Sequence, residues 1–363
     1  MLTEPLQNRR MLVFAGSYAE EQNQGVYVYE FDESKEELTL LDSAGGLKNP
    51  TFLNVDPSRN LLYAIAEGLS PDGAKIAQAA SFSFTPETGK LSPLHTFNTT
   101  DSPTCHIQRD KADSRLIVTS YHGGMVGYLK LSSDGSTAEL TDTRQHTGGS
   151  VDPERQDRPH PHSSFYSPDG KFILVQDLGL DRIIVYRTDD TGEQLIRHSE
   201  VQLHPGAGPR HLTFHPNGMF AYVINELDST VTAFRYHSAE GKLETIETVP
   251  TLPADYDGEN GCAEIAISSD GRFLYGSNRG HDSLVVYSVD GETGRLSVLE
   301  HVPVEGKHPR HFGLTPNGTH LLAANRDTDN IAVFRVDRDS GRLTYTGHSV
   351  NVSKPVCIQP FYV

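Results

Sequence analysis

The chain has 363 residues, 36% of them hydrophobic, with 48 acidic against 31 basic side chains and a formal net charge of -17. That balance argues against nucleic acid or an anionic membrane surface as partner, since both call for a basic face. No apolar run reaches the about 18 residues that a spanning helix needs, and the N-terminal stretch MLTEPLQNRRMLVFAGSY has no apolar signal core.

Cys105, Cys262 and Cys357 form an odd, widely spaced set. They read as buried thiols of a reduced, soluble, cytoplasmic protein rather than as a disulfide framework. Gly (32) and Pro (21) are frequent without any fixed period, which predicts many turns between short strands.

In chain order, three strands come first: MLVFAGSY, GVYVYEF and LTLLDSA. A repeat then begins. Weak copies start at Asn49 (NPTFLNVDPSRNLLYAIAEG) and at Ser102 (SPTCHIQRDKADSRLIVTSY). Stronger copies start at His160 (HPHSSFYSPDGKFILVQD), Gly208 (GPRHLTFHPNGMFAYVINEL), Gly261 (GCAEIAISSDGRFLYGSNRG) and His308 (HPRHFGLTPNGTHLLAANRD). Pro50, Pro103, Pro161, Pro209, Cys262, Pro309 and Pro355 mark the starts, roughly 46 to 58 residues apart. Each complete unit reads as four short strands, and four strands at this period is a propeller blade.

The last unit holds only Lys354 to Ile358 before the chain ends, and the three N-terminal strands supply what it lacks. The expectation is an all-β, seven-bladed propeller over residues 1–363. Its closing blade is shared between both termini, so the ring has no open seam. The least regular stretch, Thr141 to Arg158, reads as a surface loop over one face.

In this fold the first strands line the axis, and their starts share a face with the ends of the second strands. One rim of the channel therefore carries His106, His162, Arg210, His211, Glu226, Arg279, Arg310 and His311 over an apolar interior. Titratable groups ringing a pore make a binding site. Arginines hold a carboxylate or phosphate and stabilise an oxyanion, and Glu226 or a neutral His can take a proton from water. No G-x-S-x-G elbow and no dinucleotide loop is present, so neither a serine nucleophile nor a nucleotide cofactor is expected. His160 and His162 have no third metal ligand at convincing spacing, and the rim is too basic for a calcium cage.

The runs GAGPRHLTFHPNGMFAYVINEL, PHPHSSFYSPDG and NRGHDSLVVYSVD resemble the bacterial seven-bladed propeller 6-phosphogluconolactonases, a family that also includes fungal 3-carboxymuconate-lactonising enzymes. The resemblance covers essentially the whole chain. It implies hydrolysis of 6-phosphogluconolactone in the oxidative pentose phosphate pathway, without a required cofactor. It also implies His162, Arg210, Glu226 and Arg279 as active-site residues, with Arg310 a rival for the second arginine. From their place on the rim, His106, His211, Arg310 and His311 are expected to contact the substrate. In this expectation Glu226, with His162, activates the water. The alternatives are a lactonase or cycloisomerase acting on another anionic lactone, such as a carboxymuconolactone, or a non-catalytic ligand-binding or scaffold propeller. The oligomeric state stays open.

Overall fold

Seven four-stranded antiparallel sheets stand around a common axis in the computed structural model, which describes residues 10–69 and 73–363. The reading of an absent N-terminal leader rests partly on residues 1–9, which lie outside the described residues. The closing sheet pairs Pro355–Tyr362 with Met11–Ser17, followed by Val26–Asp32 and Glu37–Ala44, so both ends of the chain share one blade as expected. The seven innermost strands are Pro355–Tyr362, Leu53–Asp56, His106–Arg109, Pro161–Tyr166, Pro209–Phe214, Gly261–Ile267 and Pro309–Leu314. The markers Pro161, Pro209, Pro309 and Pro355 open their strands, where a missing N–H costs least.

Strand alternation puts apolar side chains on both faces of each sheet, and these bury between neighbouring blades. The result is seven separate apolar clusters, one per blade interface. One of them packs Phe220, Tyr222 and Ile224 of one blade against Leu274, Val285 and Tyr287 of the next. Hydrogen bonds reinforce this packing. Tyr63, Tyr222 and Tyr275 donate to the carbonyls of Gly135, Gly294 and Gly341 in the following blade, at 2.7, 3.1 and 3.0 Å. Asp42, Asp142, Glu247 and Glu300 accept the amides of Leu91, Leu195, Leu296 and Leu343 across the same interfaces. Turn glycines fit closely here. Gly294 has φ +76°, and a Cβ there would lie 2.5 Å from the Phe220 ring, so only glycine suits it without strain.

Two single-turn 3-10 segments, Leu178–Leu180 and Arg326–Thr328, are the helical content among the described residues. None is long and apolar enough to cross a membrane. One boundary differs from the sequence reading. Thr141 to Gln145 end a regular outer strand, Ala138–Gln145, and the irregular segment starts at His146. An outermost strand is wet along much of its length, so its polar residues give no apolar alternation to read.

Candidate functional site

The side chains at the channel rim are aimed by β-bulges. In Pro161–Tyr166, Pro161 pairs with Asp177 and Ser163 with Gln176, which leaves His162 out of the ladder. Arg210 is left out in the same way between Pro209 and His211, and Arg310 between Pro309 and His311. In Gly261–Ile267 the pairing skips from Cys262 to Ile265, so Ala263 and Glu264 share the interruption. A bulge kinks the strand and re-aims the extra residue. Here it turns the residue after the marker toward the axis.

Three guanidiniums close on Glu226. Its Oε2 accepts Arg210 Nε at 3.0 Å and Arg279 Nη2 at 2.9 Å, and its Oε1 accepts Arg155 Nη2 at 2.7 Å. Arg210 Nη1 also donates to the Ala263 carbonyl at 2.5 Å. Arg279 donates to the carbonyls of Gly261 and Cys262, at 3.0 and 2.7 Å. Burial pushes the Glu226 carboxyl up, but Arg279, Arg210 and Arg155 together outweigh it and hold the group well below the usual carboxylate range. Burial, with Arg279 and Arg310 nearby, lowers Arg210 to about 9, so it remains cationic at neutral pH.

Beneath this clamp lies a floor of histidines. Glu264 Oε2 bridges His211 Nδ1 and His311 Nε2, each at 3.0 Å. His311 Nδ1 accepts the Ile358 amide at 3.2 Å, which leaves its ring proton on Nε2, facing Glu264. The Phe52 ring covers His106 at 4.4 Å between centroids and meets His211 and His311 edge-on. The buried atoms His162 Nδ1 and His211 Nε2 have no hydrogen-bond partner among the described residues. Burial above all holds His106, His162 and His211 well below the ordinary value; His211 and His311 add to it at His106, Arg210 and His211 at His162, and Arg210 and Arg310 at His211. His311 is lowered to about 4, burial outweighing Glu264. Burial pushes Glu264 up despite His311 and Arg210.

A stability prediction follows from those signs. A histidine whose folded pKa lies below 6.5 stabilises the fold fully above pH 6.5 and loses that contribution as pH falls toward the folded value. Glu226, also depressed, has the same sign below its ordinary 4.5. Glu264, raised, works the other way and moderates the effect. The thermal unfolding midpoint is therefore expected to fall steadily between pH 6.5 and 4. Each buried histidine should contribute up to about 1.4 kcal/mol per pH unit. A flat midpoint over that range would contradict a neutral histidine floor.

These groups surround a cavity of about 390 Å³ at the channel mouth. His162, Arg210, His211, Glu226, Arg310 and His311 line it. Arg310 has no hydrogen bond or ion pair among the described residues, and its guanidinium sits 5.8 Å from the Tyr18 ring centroid. Two of the expected residues stand back from the wall: His106 lies under Phe52, and Arg279 lies behind Glu226. A larger groove of about 810 Å³ adjoins at Tyr18 and Asn49. Its charges are the mixed set Glu20, Arg326, Asp327 and Lys354, with Arg326 paired to Asp327, so the chemistry is assigned to the inner cavity.

Arg155 was not singled out by the sequence. It comes from the irregular segment after Gln145, which lies over the rim as expected of it. Nothing in SVDPERQDRP separates Arg155 from Arg158, because the contact depends on how the loop folds. Cys105 also reaches the cavity wall, but burial pushes its thiol up, so it is no ready nucleophile. Among the described residues no group of three or more His, Cys, Asp or Glu is arranged to hold a metal ion.

Comparison with known proteins agrees with the architecture. Residues 12–360 match the family model described as "Lactonase, 7-bladed beta-propeller". A 6-phosphogluconolactonase of Bacillus subtilis is 33% identical over 347 residues, 95% of this chain and 97% of its own. The crystal structure of a putative 6-phosphogluconolactonase from Bacteroides fragilis superposes with a TM-score of 0.89 at 32% identity, covering 99% of both chains. A periplasmic gluconolactonase of Pseudomonas aeruginosa superposes at 0.90 with 32% identity, covering 97% of this chain and 99% of that one. The chain belongs to the seven-bladed β-propeller lactonase family.

Proposed function

We propose that this lactonase is a 6-phosphogluconolactonase, hydrolysing 6-phosphoglucono-1,5-lactone to 6-phosphogluconate in the oxidative pentose phosphate pathway. The observation that carries this reading is the cavity wall. Two guanidiniums, Arg210 and Arg310, face the same space as His162, whose ring nitrogens have no hydrogen-bond partner among the described residues. The names of the Bacillus and Bacteroides relatives support the phosphorylated substrate.

In this mechanism Arg210 and Arg310 polarise the lactone carbonyl and stabilise the oxyanion as water adds to it. His162 accepts a proton from the water and returns it to the ring oxygen as the C–O bond breaks. Both oxygens of Glu226 are engaged by guanidiniums, so its part is to position Arg210 and neutralise charge. Arg279 supports Glu226 from behind, which favours Arg310 as the second substrate-facing arginine. The three cysteines are free thiols, in keeping with a reducing cytoplasmic setting.

A second reading is hydrolysis of the unphosphorylated gluconolactone, favoured by the name of the Pseudomonas protein. A panel of 6-phosphogluconolactone, glucono-1,5-lactone and a carboxymuconolactone separates the readings, with rates corrected for spontaneous opening. The highest kcat/KM is expected on the 6-phospho lactone. A maximum on another member of the panel would displace the primary reading.

A further inference from the structure

Arg155 has a rigid base and an unspent end. Asp152 Oδ1 accepts the amides of Glu154 and Arg155, at 2.9 and 3.0 Å. The next residue, Gln156, is fully buried and donates to the Leu178 carbonyl at 2.9 Å and to Asp181 Oδ1 at 2.7 Å. Asp181 in turn accepts the amides of Gly206 and Gly208, which lead into the Arg210 strand. The loop is thus tied to the same turn that sets Arg210. The Arg155 side chain, by contrast, is 44% exposed, where that of Arg210 is 3% exposed.

Only Nη2 of Arg155 is engaged among the described residues, to Glu226 Oε1 at 2.7 Å and to the Tyr121 hydroxyl at 3.3 Å. Its Nε and Nη1 donors have no partner there. Glu226 does not depend on this contact, since Oε2 already takes Arg210 and Arg279. Arg155 therefore presents free donors at the solvent side of a cavity whose inner wall holds Arg210 and Arg310. A guanidinium with free N–H groups recognises an oxyanion through paired charge-assisted bonds. A chain with net charge -17 needs such a local cation to draw in an anionic substrate.

We propose that Arg155 is the specificity residue for the substrate's phosphate group, binding it at the cavity mouth while the lactone ring lies against Arg210 and Arg310. This rests on the phosphosugar-lactonase reading, but its test does not require turnover. Titration calorimetry on the full chain would measure 6-phosphogluconate and gluconate binding to wild type, Arg155→Met and Arg155→Lys. Wild type is expected to bind 6-phosphogluconate at least tenfold more tightly than gluconate. Arg155→Met is expected to cut that preference by about ten- to a hundredfold, and Arg155→Lys to restore part of it. A wild type with no preference, a preference that survives in Arg155→Met, or equal weakening of both ligands would each overturn the proposal. If the lactone panel shows no hydrolysis, the functional reading fails separately, and the binding preference still decides the role of Arg155.

Discussion

In a His162→Gln variant, kcat for lactone hydrolysis is expected to fall by about 10²- to 10⁴-fold, the usual worth of a positioned proton acceptor. Glu226→Gln is expected to lower kcat by only about tenfold while destabilising the fold. The difference follows from occupancy. Every guanidinium that reaches Glu226 uses a lone pair a base would need, whereas His162 lines the cavity and neither of its ring nitrogens has a hydrogen-bond partner among the described residues. Proximity to substrate comes first in choosing a base, and basicity second. The cost of Glu226→Gln is read in stability, because it leaves three cations around a neutral amide in a buried site. Steady-state kinetics and a thermal melt on both variants distinguish the roles. If Glu226→Gln loses more kcat than His162→Gln while both remain folded, the base is Glu226.

Arg210→Met should lower kcat by about 10²- to 10³-fold, as removal of one oxyanion donor does in other acyl-transfer sites. KM should change less, because the interaction strengthens as charge develops on the carbonyl oxygen. Arg210→Lys is expected to recover little. A lysine ammonium is a point charge and cannot hold Glu226 and the Ala263 carbonyl in the fork geometry that Arg210 uses. An effect confined to KM would instead make Arg210 a uniform binding residue.

The architecture was largely readable from the sequence because a propeller repeats its turn chemistry. A proline marks six of the seven blade starts, with Cys262 at the other, and the incomplete final unit implies a blade shared by the termini. His162, Arg210 and Arg310, each the residue after a proline marker, read as channel-facing, and each is the bulged residue of its strand. Glu226 was readable as a partner of Arg210 because antiparallel register brings Pro209 opposite Asn225.

What the repeat could not convey was depth and loop folding. Arg279 and Arg310 occupy comparable rim positions, yet Arg279 spends its donors on Gly261, Cys262 and Glu226 while Arg310 faces the cavity. His106 looked equivalent to the other histidines but lies under Phe52. Arg155 sits in a non-repeating loop, so no internal copy could point to it. Its contact depends on the buried anchor of Gln156 and on the turn that Asp152 holds.

The geometry of the channel mouth supports hydrolysis of an anionic lactone through Arg210. Proton release from 6-phosphoglucono-1,5-lactone at pH 7, followed for wild type and Arg210→Met in parallel against the spontaneous rate, tests it most directly. Wild type is expected to give a large acceleration that is almost abolished in the variant. No acceleration by wild type, or equal acceleration by both, would contradict it.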